Sequence, residues 1–403
     1  MAEIKVYGAP WCPDCKRSKK FLAEHRVTFD WIDIDEGAEA LAYVEREQSG
    51  GRTIPMIVFP DGSRLVEPGD AELARKLGLR MEAEEHFYDL VIVGGGPAGL
   101  AAAIYAAREG IDALVVDSGG LGGQAGVTGR IDNYPGFPDG IAGGDLADRF
   151  IAQARRYGVE LLSAVHVDGI EPDGRELRVR FVTGQEVAAY AVLLATGSTY
   201  RRLGVPGEDD LIGAGVHFCA TCDGPFYRGV DEILVIGGGN SGLEEALFLG
   251  QFSQRIRIVE HGPALKASRL LQDKIAENPN FTVHLNTDVE SFAGGGGRVT
   301  EVRARERLTG EEHVWHPAAA FVFIGLDPNT AWLDGAVDVD QWGFIRTDNA
   351  FGTSVPGVFA AGDVRVGSTK QLGSAVGDGI AALIAIRSYL QQHSEMRRVD
   401  VNA

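Results

Sequence analysis

The chain has 403 residues, of which 57 are acidic and 38 are basic, and its formal net charge at pH 7 is -19. This length is too great for one ordinary core and predicts two or three domains. A strongly negative chain repels phosphate backbones and anionic membrane surfaces, which argues against nucleic acid or a membrane as a partner. Since no stretch approaches membrane-spanning length and the N-terminus has no basic region followed by a long apolar run, we expect a cytoplasmic protein.

Residues 1–79 predict a compact α/β domain, because short β-rich runs alternate with helical patterns. The expected elements, in chain order, are strand 4–7, helix 16–25, strand 29–34, helix 38–48, strand 56–59 and helix 70–77. After this domain the chain becomes acidic and carries no apolar stripe, so residues 80–87 are expected to form a linker.

The N-terminal domain carries a cysteine pair, Cys12 and Cys15, directly after its first strand and at the start of its first helix. The helix dipole and a cluster of cations favour a thiolate at Cys12 and leave Cys15 as the resolving thiol. These cations are Lys16, Arg17, Lys19 and Lys20.

This domain resembles the glutaredoxins, and the mycoredoxin group in particular, through residues 50–55 (Gly-Gly-Arg-Thr-Ile-Pro) and 60–63 (Pro-Asp-Gly-Ser). The resemblance implies a thioredoxin fold in which Pro55 is cis and packs beside the disulfide. Glutathione-binding glutaredoxins carry Gly-Gly and an acidic pair after the proline strand, whereas residues 68–70 here read Pro-Gly-Asp. Glutathione is therefore not expected as the natural substrate.

An internal repeat follows, because residues 89–99 and 232–242 share one pattern of apolar strand, glycine loop and helix. In each copy a second strand ends at an acidic residue, Asp117 or Glu260, 23 residues after the first glycine. Such a unit offers backbone amides and a helix N-terminus to a pyrophosphate, and its acid accepts hydrogen bonds from ribose hydroxyls. Two nucleotide-binding units are predicted, with ordinary glycine-rich turns as the alternative. The loop glycines are Gly94, Gly96, Gly99, Gly237, Gly239 and Gly242.

A second cysteine pair, Cys219 and Cys222, lies between the two copies of the repeat. Thiols separated by two residues close a reversible disulfide, and the adjacent Asp223 could shuttle the proton. A zinc site shared by both pairs is the alternative, but structural zinc pairs lie about 15 to 20 residues apart. These pairs are much farther apart in the sequence, so we expect redox chemistry and no metal.

From Tyr88 onwards the chain resembles low-molecular-weight thioredoxin reductases. The matching stretches are residues 195–197, 218–224, 323–329, 357–363 and 370–371. The resemblance implies an α/β architecture of two Rossmann-like domains, with the NAD(P) domain inserted into a discontinuous FAD domain. The expected boundaries are 1–79 for the glutaredoxin-like domain, 80–87 for the linker, 88–202 and 318–403 for the FAD domain, and 203–317 for the NAD(P) domain.

The resemblance also implies roles for individual residues. Cys222 would face the flavin, Cys219 would attack the partner's disulfide and Asp223 would serve as the acid. The family forms homodimers and rotates one domain against the other, so that hydride donor and disulfide reach the flavin in turn. The implied FAD contacts are Gly94, Gly96, Gly99, Asp117, Gln124, Asn133, Asp363 and Gln371.

The second nucleotide loop departs from the family's NADPH-specific pattern, which places a His-Arg-Arg run and a further arginine after the second strand. Residues 260–266 read Glu-His-Gly-Pro-Ala-Leu-Lys instead. A carboxylate at Glu260 suits the ribose hydroxyls of NADH and repels a 2′-phosphate. We predict NADH as the donor. The alternatives are that His261 and Lys266 suffice for NADPH, or that the site takes no nicotinamide.

Together these features predict an enzyme that passes electrons from NADH or NADPH through FAD and the second cysteine pair to the first. The final acceptors would be thioredoxin-like proteins, a peroxiredoxin or low-molecular-weight disulfides. A peroxiredoxin reductase resembling the alkyl hydroperoxide reductase flavoprotein is one alternative, although that family usually has a longer N-terminal module. A non-catalytic flavin and thiol redox sensor is the other. The sequence leaves open whether the N-terminal domain is reduced within one chain or by a dimer mate.

Overall fold

The computed structural model describes residues 4–128, 130–295 and 298–401. The chain forms two compact units. The first comprises Met1–Arg130, Tyr134–Gly197 and Pro328–Ala403, and the second comprises Ile131–Asn133 and Ser198–Asp327. Within the described residues, no helix is both long enough and apolar enough to span a membrane.

The first unit begins with a small domain built on a four-stranded mixed sheet. In this sheet the first two strands are parallel and the other pairs are antiparallel, in the order β2-β1-β3-β4. Val6, Leu22, Ile57 and Leu73 are fully buried in its core. The elements are β1 (Ile4–Gly8), α1 (Pro13–Glu24), β2 (Phe29–Asp33), α2 (Ala38–Glu47), β3 (Met56–Val58), β4 (Arg64–Val66) and α3 (Asp70–Lys76).

Two details of this domain differ from the prediction. Helix α1 begins at Pro13 instead of residue 16, because Cys12 caps the helix and proline is well tolerated in the first helical turn. Strand β4 was not predicted, since it has three residues and mostly exposed side chains, which leave no apolar periodicity.

The expected linker is fixed to the segment that follows it. The Arg80 carbonyl accepts a hydrogen bond from the Ser163 backbone at 3.0 Å. The Ala83 backbone exchanges two hydrogen bonds with the Gln185 side chain, at 2.9 and 3.0 Å. Met81 packs against the buried core beneath. Residues 80–83 therefore hold the two parts of the unit together.

The larger part of the first unit contains the first copy of the repeat. Its sheet runs β7-β6-β5-β10-β9-β8, with a last strand at Val358–Ala360 paired to β10. Strand β5 is parallel to β6 and β10, as a strand-helix-strand unit requires. The elements are β5 (Phe87–Val93), α4 (Pro97–Arg108), β6 (Ala113–Val116), α5 (Gly123–Gly126), α6 (Gly143–Arg156), β7 (Glu160–Leu162), β8 (Val167–Asp173), β9 (Glu176–Phe181) and β10 (Glu186–Leu194).

The second unit contains the second copy of the repeat in a five-stranded parallel sheet of order β12-β19-β13-β14-β15. An antiparallel sheet, β16-β17-β18, and a two-stranded pair, β11 and β20, complete it. The elements are β11 (Ser198–Tyr200), β12 (Val216–His217), α7 (Ala220–Asp223), β13 (Val230–Ile236), α8 (Asn240–Leu249), β14 (Ser253–Val259), α9 (Arg269–Ala276), β15 (Phe281–His284), β16 (Thr287–Gly294), β17 (Val299–Glu306), β18 (Glu312–Trp315), β19 (Ala319–Val322) and β20 (Leu326–Pro328).

After this unit the chain returns to the first through β21 (Val358–Ala360) and α10 (Leu372–Val401). Helix α10 packs against α4. Short 3-10 helices lie at Asp209–Leu211, Gly224–Tyr227, Ala331–Leu333 and Gly362–Val364. The predicted α/β class is confirmed: a thioredoxin-like N-terminal sheet is followed by two larger sheets, one fully parallel and one in which antiparallel strands β9 and β8 extend a parallel core.

Candidate active site

Cys219 and Cys222 form a disulfide at the start of α7, with 5.3 Å between their Cα atoms. Cys219 caps the helix, and its Sγ accepts a hydrogen bond from the Cys222 backbone N–H at 3.3 Å. An amide aimed at sulfur stabilises negative charge there. The geometry therefore favours a thiolate at Cys219 when the disulfide opens.

Asp223 follows this pair directly, and its Oδ2 lies 3.3 Å from Nδ1 of His217. The other ring nitrogen of His217, Nε2, lies 2.7 Å from the Tyr227 hydroxyl. His217 is 6% exposed, whereas the Asp223 side chain is 22% exposed. Burial, followed by the charge of Asp223, raises the pKa of Tyr227 to about 12. Sequence reasoning found Asp223 but missed both aromatic partners, because neither has a spacing that signals a role.

Asn133 belongs to the same compact unit as the disulfide. Its Nδ2 donates a long hydrogen bond to Cys222 Sγ at 3.8 Å. One of the residues expected to contact FAD therefore lies beside the cysteine expected to face the flavin.

The first glycine loop has the geometry of a phosphate-binding turn. Gly94 adopts a φ of 112°, and a side chain there would strike the Ala195 carbonyl. Gly96 caps α4, and a Cβ on it would meet nothing within 4 Å, so the loop is open on that side. Gly99 lies against the Gly94 carbonyl, which leaves no space for a side chain. The loop is thus tightly packed beneath and open above.

The acid of this first unit is held by the loop itself. Asp117 accepts hydrogen bonds from the backbone of Gly95 at 2.6 Å and of Gly119 at 2.7 Å, and burial raises its pKa. Nearby, Thr196 Oγ1 is buried and has no hydrogen-bond partner among the described residues. An open loop, a fixed acid and an orphaned hydroxyl fit a bound dinucleotide such as FAD.

The other residues expected to contact FAD lie on two further segments of the first unit. Gln124 is in α5, whose first residue, Gly123, lies against Gly96. Asp363 accepts a hydrogen bond from the Ser368 hydroxyl at 3.0 Å, and burial raises its pKa. Gln371 immediately precedes α10, and its carbonyl accepts the first hydrogen bond of that helix, from Ala375 at 2.9 Å.

The second glycine loop repeats the first in the other unit. Gly237 adopts a φ of 121° beside the Phe323 carbonyl, and Gly239 caps α8. Glu260 is buried and accepts hydrogen bonds from the backbone of Gly238 at 2.7 Å and of Gly262 at 2.9 Å. Glu260 thus occupies the position of Asp117 in the first unit. Gly242, which lies against the Gly237 carbonyl, corresponds in the same way to Gly99.

The cations near Glu260 have acidic partners. Lys266 Nζ lies 3.7 Å from Glu260 Oε1, and His261 Nδ1 lies 2.5 Å from Asp288 Oδ1. Arg307 also approaches, with its Nε 3.4 Å from Asp288 Oδ2 and its Nη1 3.4 Å from the His261 carbonyl. Sequence reasoning missed Arg307 because the β16 and β17 hairpin, not a local motif, brings it there.

Cys12 and Cys15 are reduced and have the same local geometry as the second pair. Cys12 caps α1, and its Sγ accepts a hydrogen bond from the Cys15 backbone at 3.2 Å. The Cys12 thiol lies 3.7 Å from the carbonyl of Ile54, which precedes Pro55 through a cis peptide bond. Cys12 is 4% exposed and Cys15 is fully buried. Burial and a hydrogen bond with Cys12 raise the pKa of Cys15 to about 12.

The cations expected to support a Cys12 thiolate are mostly engaged elsewhere. Arg17 pairs with Asp14 at 2.5 Å and with Asp70 at 3.3 Å. Lys20 lies 3.7 Å from Glu24, and Lys19 lies 4.4 Å from the centre of the Trp31 ring. The backbone amide of Cys15 is therefore the closer stabilising group. No cluster of three or more metal-ligating side chains occurs in the described part of the chain.

Comparison with known proteins identifies the family. Residues 88–379 match the pyridine nucleotide-disulphide oxidoreductase model, and residues 4–64 match the glutaredoxin model. Thioredoxin reductase from Listeria innocua is 36% identical over 78% of this chain and 98% of its own length. The bifunctional thioredoxin reductase/thioredoxin from Mycobacterium leprae is 38% identical over 77% of this chain and 68% of its own length.

Among solved structures, thioredoxin reductase from Streptococcus pyogenes matches with a TM-score of 0.72 and 36% identity, covering 76% of this chain and 99% of that one. Members of this group are oxidoreductases that act on disulfides and use FAD with a pyridine nucleotide. The chain belongs to the thioredoxin reductases of the pyridine nucleotide-disulphide oxidoreductase family and carries a glutaredoxin domain at its N-terminal end.

Proposed function

We propose that this enzyme uses NADH to reduce its Cys219–Cys222 disulfide, passes the electrons to Cys12 and Cys15, and thereby reduces the disulfides of other proteins or small thiols. The observation that supports this proposal is the shared construction of the two pairs. In each, the first cysteine caps a helix and accepts a hydrogen bond from the backbone of the second. A relative described as a bifunctional thioredoxin reductase/thioredoxin provides a precedent for the fusion.

The exchange between the pairs balances as a dithiol-disulfide reaction. The Cys219 thiolate attacks the Cys12 sulfur of the oxidised N-terminal pair, and the bond from Cys12 to Cys15 breaks. Cys15 leaves and takes up a proton, which its raised pKa favours. Cys222 then attacks Cys219, which restores the first disulfide and releases Cys12 as a thiolate.

Asp223 serves as the acid and base in this series of thiol-disulfide exchanges. It takes the proton of a cysteine that becomes a nucleophile and returns it to a sulfur that leaves. Asp223 directly follows Cys222, and its backbone N–H donates to the Cys219 carbonyl at 3.1 Å, which fixes the Asp223 backbone to the disulfide turn. The short segment keeps acid and sulfur together during each exchange.

Residues of the first unit would hold FAD, which when bound supplies the chemistry that couples a pyridine nucleotide to a disulfide. We assign the pyrophosphate to the open loop from Gly94 to Gly99 and the adenosine ribose to Asp117. Asp363, Gln371, Gln124 and Asn133 complete the assignment. The corresponding domain boundaries are 88–202 and 318–403 for FAD, 203–317 for the pyridine nucleotide, 80–87 for the linker and 1–79 for the glutaredoxin domain. We further propose a cytoplasmic homodimer.

The choice of NADH rests on the charges around Glu260. This carboxylate is buried and fixed by two backbone amides, so it cannot swing away from a nucleotide. Arg307 faces Asp288, which offsets its positive charge, and His261 Nδ1 lies beside the same carboxylate. A 2′-phosphate would meet one fixed anion and partly neutralised cations, whereas ribose hydroxyls would find an acceptor.

Anaerobic titration of the flavoprotein tests both parts of the proposal. Flavin bleaching is followed with NADH and, separately, with NADPH, in the wild type and in a Cys12→Ser/Cys15→Ser variant. We expect rapid bleaching by NADH and uptake of an additional two-electron equivalent by the wild type alone. Equal uptake in both proteins would contradict the relay to the N-terminal pair. Bleaching by NADPH alone would contradict only the choice of nucleotide, and bleaching by neither would exclude a nicotinamide donor.

A further inference from the structure

The carboxylate of Asp223 is part of a chain of three side chains within residues 217–227, and His217 in its middle is buried. Its Oδ2 lies 3.3 Å from His217 Nδ1, and His217 Nε2 lies 2.7 Å from the Tyr227 hydroxyl. The His217 ring is clamped against Phe321, with the ring centres 5.1 Å apart, and stands edge-on to Tyr227 at 5.4 Å. A ring that packs against Phe321 and is contacted at both nitrogens has one orientation available.

Asp223 and Tyr227 together favour one tautomer of His217, because an ionised carboxylate only accepts hydrogen bonds whereas a hydroxyl can donate. Burial and the neighbouring charge of Asp223 raise the pKa of Tyr227 to about 12, so its hydroxyl stays protonated at physiological pH. Its hydroxyl can then donate to Nε2, which leaves the ring proton on Nδ1. The partial positive charge of Nδ1–H then lies 3.3 Å from the Asp223 carboxylate and attracts it.

We propose that His217 is a positioning residue, which holds the Asp223 carboxylate in place for proton exchange with Cys219 and Cys222. Tyr227 acts one step farther away by helping to select the His217 tautomer. The proton moves between the cysteine sulfur and Asp223, while the Nδ1–H bond of His217 stays intact. This role rests on the proposed reduction of disulfides by the second cysteine pair.

The contacts of His217 within the described part of the chain include two titratable groups. The titratable groups that face it are Asp223 and Tyr227, and strand β19 contributes the apolar Phe321. Helix α8, which packs on α7, carries Glu244 and Glu245. Both acids are present in the wild type and in all variants of His217 and Tyr227, so they cannot cause a difference between these proteins.

The test compares His217→Phe with His217→Asn. Phenylalanine retains the ring that packs on Phe321 but lacks the donor, whereas asparagine places an amide N–H near the position of Nδ1. The pH dependence of single-turnover oxidation of pre-reduced enzyme by a small aromatic disulfide is measured for each protein. In His217→Phe we expect the pH profile of this oxidation to move up by about 1 pH unit, because Asp223 loses the ring N–H beside it. His217→Asn should restore most of this shift, and Tyr227→Phe should give a smaller shift in the same direction.

A second readout is independent of turnover. In protein labelled with 15N-histidine, the His217 signal, identified by its loss in His217→Asn, should show the Nδ1–H tautomer. An Nε2–H tautomer, or a pH profile of His217→Phe that coincides with the wild type, would overturn the proposed role. A failure of the proposed function would give a different result from a failure of the His217 role. In that case a Cys219→Ser/Cys222→Ser variant would turn over disulfides as fast as the wild type.

Discussion

The guanidinium of Arg26 lies 2.7 Å from the Asp148 carboxylate and donates from its other nitrogen to the Leu121 carbonyl at 2.6 Å. Arg26 follows α1 of the glutaredoxin domain, whereas Leu121 and Asp148 belong to the larger part of the same unit. The Glu24 backbone lies close against Gly120, where no side chain would fit. The glutaredoxin domain is therefore docked through the C-terminal end of α1, and its cysteines lie at the opposite end of that helix.

Arg26→Gly tests this docking contact without a loss of backbone stability. Arg26 adopts a φ of 54°, a conformation that glycine accepts and that costs other residues roughly 1 kcal/mol. We expect the glutaredoxin core to remain as protected as in the wild type, while amide hydrogen exchange in residues 119–126 becomes about tenfold faster. Arg46→Ala, which removes an exposed ion pair within α2, is the control and should leave that loop unchanged. Unaltered exchange in Arg26→Gly would mean that the contact does not hold the domains together.

The contrast between Arg26 and the glycine loops shows what could be predicted from the sequence. The loops at Gly94 and Gly237, and both cysteine pairs, are local patterns whose chemistry follows from spacing along the chain. Arg26 and Leu121 are 95 residues apart, and nothing in the sequence around either residue signals the contact. Long-range contacts of single side chains depend on the folded surface, so sequence patterns could not reveal them.

The same limit applied inside the candidate site. Asp223 was predicted because it adjoins a cysteine motif, but its partners His217 and Tyr227 became visible only through burial and distance. Arg307 reached the second nucleotide loop through a hairpin. Elements with strong periodicity were predicted to within a few residues, whereas the three-residue strand β4 was not.

A trapping experiment tests which sulfurs react in the proposed relay. A Cys15→Ser/Cys222→Ser variant has neither resolving cysteine. When Cys219 attacks an oxidised Cys12 sulfur in this variant, the reaction should therefore stop at a mixed disulfide. Because this variant lacks the N-terminal disulfide, Cys12 is first activated with a small aromatic disulfide. We expect a covalent link between Cys219 and Cys12 in peptide mapping. On a non-reducing gel it would run with monomer mass if formed within one chain and with dimer mass if formed between chains.

The control for this experiment is a Cys12→Ser/Cys222→Ser variant, which retains Cys15. Since Cys15 is fully buried and its pKa is raised to about 12, it should react far more slowly. Equal trapping at Cys15 would contradict the assignment of Cys12 as the exchanging sulfur.

The buried Cys15 thiol should make the reduced glutaredoxin domain less stable in alkali. Its pKa rises from 9.0 to about 12 on folding, because burial disfavours the thiolate. Because the pKa of Cys15 is higher in the folded than in the unfolded protein, the protonated thiol's contribution to the free energy of unfolding is complete below pH 9. This contribution is lost as the pH rises towards 12. The loss should be at most about 1.4 kcal/mol per pH unit in this window. Urea unfolding of the reduced protein at pH 8 and pH 10, compared with Cys15→Ala, isolates this effect, and parallel losses in both proteins would refute it.

The charges around the second nucleotide loop predict that kcat/KM for NADPH can be raised without substituting Glu260. Asp288 is an exposed residue that engages both His261 and Arg307. In Asp288→Asn the Arg307 guanidinium loses its anionic partner and becomes available to a 2′-phosphate, so kcat/KM for NADPH should rise about threefold to tenfold. The value for NADH should stay within about twofold, because Glu260 keeps its two backbone hydrogen bonds. Added salt should reduce the gain, since the new attraction is between exposed charges. Glu290→Gln, on the same strand and paired with Arg305, is the matched control, and an equal gain there would show that net charge alone is responsible.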